Sequence, residues 1–422
     1  MNLRQLFLAH QAQTSEFPLM LEVLSAKGIY LFGRKGKKYI DLISGIGVSN
    51  IGHRHPAVVR AIQRQLRKYL HVMVYGETLQ SPQVFLAKAL AQTLEKGSEI
   101  APKNAAIAKN LEPKKEASPD PWATYFLNSG SEAIEGAMKL VKRYTGRKQI
   151  LACRNAYHGS SQGALSLSSR EDFKRNFAPL LPQIDYLDFM NPDDLQRITT
   201  QTAAVFIEPI QGEAGVRVGE APYFQALRER CSQVGALLVL DEIQTGFGRT
   251  GTFWAHQAYG IEPDVVVCAK GMGGGLPIGA FIARRSKMQV LSKNPILGHI
   301  TTFGGNALSA AASLATLRTL EAEKIYETAP QKHELFKQYL KHPAIKAIRG
   351  RGLMMAVEFE SFEFLKKVID KCLEKGVLTD WFLYCDNAMR IAPPLIITEK
   401  QIRKACQLIL EAIEEVSVER AN

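Results

Sequence analysis

Between residues 123 and about 285, short continuous apolar runs alternate with helical stretches: ATYFL, QILAC, AAVFI, ALLVL and DVVVC. A strand that is apolar on both faces must be buried on both faces. That condition is met by a parallel sheet covered by helices on either side. Between two of the runs lies YFQALRERCSQVG, whose apolar positions recur at helical spacing. The pattern predicts an α/β fold. In open parallel sheets, ligands bind beyond the carboxyl ends of the strands, and each run here leads directly into polar, small or ionisable residues. YFL runs into Asn128-Ser129-Gly130-Ser131-Glu132, ILACR into Tyr157-His158-Gly159, and AVFI into Glu208. LLVL leads to Asp241-Glu242 and VVVCA to Lys270. Five strands ending this way predict one shared site.

The chemistry of these ends is readable residue by residue. Ser129-Gly130-Ser131 opens the helical stretch SEAIEGAMKLVKRY. Free amides and the dipole at a helix start bind phosphate, and glycine lets the backbone come close; an ordinary serine cap is the plainer alternative. Asp241 follows four apolar residues, so it is expected to be buried and in need of a cationic or hydrogen-bonding partner. Lys270 ends an apolar strand and enters Gly271-Met272-Gly273-Gly274-Gly275. A lysine so placed loses its proton readily and attacks carbonyl groups. A structural Asp241–Lys270 ion pair competes with that reading.

Other motifs fail on inspection. A dinucleotide fingerprint after Lys270 would need glycine at Leu276 or Ile278, and a phosphate-binding loop over Gly28–Lys35 would need lysine where Arg34 stands. His53 and His55 lack a third metal ligand in the sequence pattern, and no CxxC pair occurs among the six cysteines. No metal site is expected.

The flanks are of another kind. GIYLFGRKGKKYIDL (28–42) reads as a hairpin, and PAVVRAIQRQLRKYL as a helix from Pro56 to Leu70. Residues 101–122 read as an exposed loop rich in Pro, Lys and Ala. Thr398 to Gln401 has capping-box spacing ahead of the helix QIRKACQLILEAIEEV. At 422 residues the chain is long for one core, so two domains are expected. The net charge of +12 raises the question of nucleic acid. However, apart from a local excess at Lys103 to Lys115, the basic residues are scattered, and no DNA- or RNA-binding signature accompanies them. No apolar run approaches the ~20 residues of a membrane helix, and the four-residue apolar patch before His10 is too short for a secretion signal. A cytoplasmic location is expected, with neither nucleic-acid nor membrane partners.

In their order along nearly the whole chain, these motifs resemble the fold-type I, class III pyridoxal-phosphate aminotransferases of the acetylornithine, ornithine and 4-aminobutyrate kind. The resemblance runs through Gly52-His53 to Pro56, Asn128 to Glu132, Tyr157-His158-Gly159 and Glu208-Pro209-Ile210-Gln211-Gly212-Glu213. It continues through Asp241 to Gly246, Ala269-Lys270-Gly271, Thr302-Phe303-Gly304-Gly305-Asn306 and Arg390-Ile391-Ala392-Pro393-Pro394. It implies a large cofactor-binding domain (51–305) with a mostly parallel sheet, and a smaller α+β domain built from both termini (1–50 and 306–422). The implied activity is pyridoxal 5'-phosphate-dependent transfer of an amino group from an amino acid or ω-amino donor to a 2-oxo acid; an aminomutase is the alternative.

The resemblance also implies roles. Lys270 would hold the cofactor as a Schiff base and shuttle a proton, and Asp241 would keep the pyridine nitrogen protonated. Tyr157 would stack on the ring, Gln244 would sit near its phenolic oxygen, and His158 and Glu208 would belong to the same cofactor site. Ser129, Gly130 and Ser131 would hold the phosphate with Thr302 of a second subunit, which implies a homodimer with shared active sites. Arg390 would bind a substrate carboxylate, with Glu213 pairing to it when no α-carboxylate is present. Two positions depart from the pattern. Ser160 stands where many relatives carry arginine, which favours small mono-carboxylate acceptors such as pyruvate alongside 2-oxoglutarate. Ile46 replaces the tyrosine of ornithine-specific relatives and argues against a dedicated ornithine enzyme.

Overall fold

The computed structural model describes residues 2–74, 76–97 and 119–421. Its centre is a seven-stranded sheet in the order Trp122–Leu127, Gly279–Arg284, Val265–Cys268, Leu237–Asp241, Thr202–Ile207, Gln149–Cys153 and Ile184–Leu187. All five apolar runs are strands of it. Gly279–Arg284 runs antiparallel to both of its neighbours, and the other pairings along the sheet are parallel. The carboxyl ends of the five sequence-predicted strands therefore meet along one edge.

Side-chain alternation divides each strand between two cores. Leu237 and Val239 face the Gly130–Thr145 helix through Ala133, Ile134 and Met138. Leu238 and Leu240 face Phe224, Leu227 and Cys231 of the Ala221–Val234 helix. Both helices end on a glycine with positive φ, Gly146 at +69° and Gly235 at +69°, which closes the last turn in a conformation that suits residues without a Cβ.

Two strands escape the sequence pattern. Ile184–Leu187 is short, lies at the sheet edge and alternates in burial, so it carries no continuous apolar run. Gly279–Arg284 follows directly on the glycine-rich turn that hides its start. The helix from Pro56 also ends at Leu66, four residues before the expected Leu70. Beyond it the Tyr69 and Leu70 carbonyls accept side-chain amides of Gln65 and Asn306. Of the expected 101–122 loop, residues 101–118 lie outside the described residues, as does the basic cluster Lys103 to Lys115.

The termini form smaller sheets. The expected hairpin pairs Tyr30–Phe32 with Lys38–Asp41, and the latter pairs in parallel with Val377–Leu378 from the far end of the chain. A second sheet runs Ala347–Arg351, Met354–Glu358, Cys385–Ile391, Trp381–Phe382, with the Phe362–Lys375 and Glu399–Ala421 helices packed nearby. The capping box is formed: Thr398 N–H donates to Gln401 Oε1 at 2.8 Å, and Gln401 N–H to Thr398 Oγ1 at 3.4 Å. Among the described residues, no helix is long and apolar enough to cross a membrane.

Arg249 ties these parts together. Fully enclosed, its guanidinium donates to Ser44 Oγ, Asn50 Oδ1, Leu353 O and Pro393 O. It thereby joins the N-terminal segment, the turn after the central strand and two C-terminal segments. Arg249→Ala would strand four buried acceptors, at about 1–3 kcal/mol for each that finds no water. Chemical denaturation is expected to show a loss of at least 3 kcal/mol, with little recovery in Arg249→Lys, whose single ammonium cannot span the four acceptors. A loss below 1 kcal/mol in Arg249→Ala would remove this role.

Candidate active site

A cavity of about 490 Å³ opens at the carboxyl edge of the central sheet. Asn128 to Ser131, Tyr157 to Gly159, Glu208, Glu213, Asp241, Gln244 and Lys270 all lie on its wall. Five separate strand ends thus converge.

On one wall, Ser129 caps the Gly130–Thr145 helix by accepting from Glu132 N at 3.2 Å. The serine-cap reading is therefore correct, and the helix start still faces the cavity. The chain is packed tightly here: a Cβ at Gly279 would lie 2.1 Å from Ser129 O, and one at Gly159 (φ +130°) 2.2 Å from Ser131 Oγ. Ser131 Oγ accepts from Ser160 N at 3.3 Å, and Ser160 Oγ lies 3.0 Å from the Tyr157 hydroxyl.

At the centre, Asp241 does not pair with Lys270. Its Oδ2 lies 2.7 Å from His158 Nδ1 and its Oδ1 accepts from Ile243 N at 3.0 Å. The two side chains are buried, and among the described residues His158 Nε2 has no hydrogen-bond partner. Burial alone would lower the His158 pKa, but the hydrogen bond to Asp241 and that carboxylate's charge raise it. Glu208 accepts from Tyr157 N at 3.2 Å and Gly212 N at 3.1 Å, and burial pushes its carboxyl up to about 7.

Lys270 begins a short 3-10 turn with φ +45°, a conformation uncommon outside glycine. Among the described residues it makes no hydrogen bond or ion pair. Burial lowers its pKa, helped by the charge of Arg390 and opposed chiefly by that of Glu213. An amine with these surroundings gives up its proton more easily than a solvated lysine.

Arg390 does not reach the cavity wall. It lies behind Glu213, which accepts both Nη groups at 2.9–3.1 Å. Ile46 and Gly47 lie with Arg390 on a smaller adjoining space. Gln244 lies on the main wall, with its side-chain amide packed against Gly212. Thr302 is exposed and away from this cavity. The sequence reading missed Tyr384, whose ring centroid is 6.4 Å from that of Tyr157, and Asp380, which binds Arg390 Nε. Neither belongs to a motif. Among the described residues no group of three or more metal-ligating side chains occurs.

The sequence profile of the Aminotransferase class-III family matches residues 11–413. The chain belongs to the class-III aminotransferases. Acetylornithine aminotransferase of Archaeoglobus fulgidus is 37% identical over 91% of this chain and 93% of its own length. Putrescine aminotransferase of Pectobacterium atrosepticum is also 37% identical, over 92% of this chain and 80% of its own. Ornithine aminotransferase of Toxoplasma gondii superposes with a TM-score of 0.86 at 28% identity, over 99% of this chain and 95% of that one. This class-III aminotransferase is a pyridoxal-phosphate-dependent transaminase of fold type I, taking an amino donor and a 2-oxo acid. Nothing in these relatives favours an aminomutase. The cavity suits the cofactor by its donor set: helix-start amides for a phosphate, a buried carboxylate for a ring nitrogen, and an uncommitted amine for an aldehyde.

Glu208 and His158 make stability pH-dependent with a definite sign. Both pKa values are raised on folding, so the folded protein holds their protons more tightly than the unfolded chain. Their contributions are fully present below the unfolded values and fade as pH rises, for Glu208 between 4.5 and about 7. Denaturation of the cofactor-free protein at pH 5 and 8 is expected to show Glu208→Gln losing less than wild type. The difference is on the order of 3 kcal/mol at ~1.4 kcal/mol per pKa unit. Parallel pH profiles would contradict it.

Proposed function

We propose that Lys270 carries the cofactor and that Asp241, held by His158, faces its ring nitrogen, in an enzyme that takes amino groups from terminal amines. The observation that carries this reading is the meeting of a lysine with lowered pKa and a buried Asp–His pair on one cavity wall. When bound, pyridoxal phosphate supplies an electron sink for the carbanion left as the donor carbon loses its proton. The chain's own residues do the rest. Lys270 Nζ accepts the proton from the donor carbon. Asp241 holds a proton at the ring nitrogen, and His158 orients that carboxylate. The amides of Gly130 and Ser131, with Ser129, would hold the phosphate, and Tyr157 and Gln244, which line the same cavity, would hold the ring. Glu208 orients the Tyr157 segment through the amide it accepts.

Glu213 covers Arg390, which suits a donor whose reacting carbon bears no carboxylate, such as the acetylornithine and putrescine for which two relatives are named. Arg390 takes the carboxylate of the 2-oxo acid once Glu213 moves. Ser160 brings no charge to a distal carboxylate, and Arg170, which packs on Tyr384, is engaged by Asp172. Pyruvate therefore serves as an acceptor alongside 2-oxoglutarate. Ile46 leaves the entrance without a tyrosine hydroxyl for ornithine.

The working enzyme is a homodimer, with Thr302 of each chain reaching the other's phosphate. An exposed apolar surface supports this: Leu70, Met73, Phe85, Ile300 and Phe303 are all well exposed, and Phe303 packs on His71 at 4.8 Å. Residues 51–305 form the large domain, and 1–50 with 306–422 the small one; the pairing of Lys38–Asp41 with Val377–Leu378 supports joining the termini. Six unpaired cysteines accord with a cytoplasmic enzyme.

The reading is tested by Asp241→Ala, assayed with 1,4-diaminobutane as donor and with pyruvate and 2-oxoglutarate as acceptors. Turnover is expected to fall about a thousandfold with either acceptor, or about 4 kcal/mol of barrier. A loss below tenfold would contradict the role of Asp241.

A further inference from the structure

Arg390 sits among more negative charge than a carboxylate-binding arginine needs. Besides the Glu213 bonds, its Nε donates to Asp380 Oδ1 at 2.9 Å, and the Phe382 ring lies 4.3 Å from the guanidinium carbon. The arginine is only 4% exposed, so one buried cation is shared between two carboxylates. These carboxylates are anchored differently. Asp380 is bound to the arginine's own strand: its carbonyl accepts Arg390 N–H at 2.8 Å, and Thr379 Oγ1 donates to Arg390 O at 2.6 Å. Glu213 comes from the turn after Ile210–Gln211, accepts from Leu383 N at 3.1 Å, and is on the main cavity wall. Neither Arg390 nor Asp380 is on that wall. The Glu213 backbone is held too, its carbonyl accepting Tyr384 N–H at 3.0 Å, but its side chain alone of the two carboxylates borders the cavity into which it could swing.

We propose that Asp380 is a positioning residue that sets substrate class: it holds Arg390 by Nε with its Nη edge toward Glu213, and its charge weakens that edge toward a carboxylate. The inference rests on the reading that Glu213 covers Arg390 and gives way to a substrate carboxylate. A donor whose reacting carbon bears no carboxylate leaves the Glu213 bonds intact. An α-amino acid must displace Glu213 and then meets an arginine whose charge Asp380 already offsets. The site thus prefers donors whose reacting carbon bears no carboxylate and binds its oxo acid loosely.

The test compares Asp380→Asn, which keeps an acceptor for Nε but removes the charge, with Asp380→Ala, which removes both. Propionate serves as the carboxylate probe, its binding to the holoenzyme measured by titration calorimetry. KM for pyruvate and kcat/KM for alanine and 1,4-diaminobutane are measured beside it. Asp380→Asn is expected to bind propionate about tenfold more tightly, lower the pyruvate KM to match and raise kcat/KM for alanine relative to the diamine. Asp380→Ala, with Nε released, is expected to bind propionate at least tenfold more weakly than Asp380→Asn. Unchanged or weaker binding in Asp380→Asn, or identical behaviour of the two variants, overturns the proposal. Glu213→Ala separates the two levels. If it tightens propionate while Asp380→Asn does not, the inference fails and the reading beneath it stands; if it leaves propionate binding unchanged, that reading itself fails.

Discussion

The fold has to hold a carboxylate where water cannot reach it. Asp241 ends a strand buried on both faces, and an isolated carboxylate there would take up a proton or destabilise the chain by several kcal/mol. His158 prevents this, at 2.7 Å, with the Ile243 amide on the other oxygen. The two partners and Glu208 stand at the ends of three strands that are neighbours in the sheet, Leu237–Asp241, Thr202–Ile207 and Gln149–Cys153. A parallel sheet brings such ends together without any loop having to fold over. The ionisable groups therefore inherit the rigidity of the sheet core, and their mutual charges decide their protonation. Burial, with the Asp241 charge beside it, pushes the Glu208 carboxyl up to about 7, and the bond to Asp241 raises the His158 pKa against burial.

A second charge network sits on the other side of the cavity and is built in the opposite manner. Arg390, Glu213 and Asp380 come from a C-terminal strand, a turn of the central region and the linker into Trp381–Phe382. The Asp241 pair is fixed by one sheet, whereas this triad spans two. One of its three members, Glu213, also borders the cavity where a substrate enters. Fixed charge on one side and exchangeable charge on the other are what a transaminase needs if one pocket is to serve an amine and an oxo acid in turn.

Much of this was legible in the sequence because buried parallel strands and their ends have a strong signature. The apolar runs before Asn128, Glu208, Asp241 and Lys270 are all strands, and the polar residues after them share one cavity. Pairing across the fold was not legible. Asp380 lies ten residues before Arg390, but they meet through an irregular strand pair whose register no local pattern reveals. His158 was read as part of a motif, yet its contact with Asp241 bridges 83 residues. The Pro56–Leu66 helix stops four residues before its apolar periodicity does, and the Leu70 carbonyl meets Asn306 from far along the chain, a contact no local pattern shows. Thr302 lies off the cavity of a single chain, and the role proposed for it would need a second copy.

The account stands or falls on which amine carries the cofactor. Borohydride reduction of the purified holoenzyme, followed by proteolysis and mass mapping, reads this directly. The account predicts one pyridoxyl phosphate per chain, on the peptide containing Lys270 and in near-stoichiometric yield. A label spread over surface lysines, or fixed on another single lysine, would contradict it.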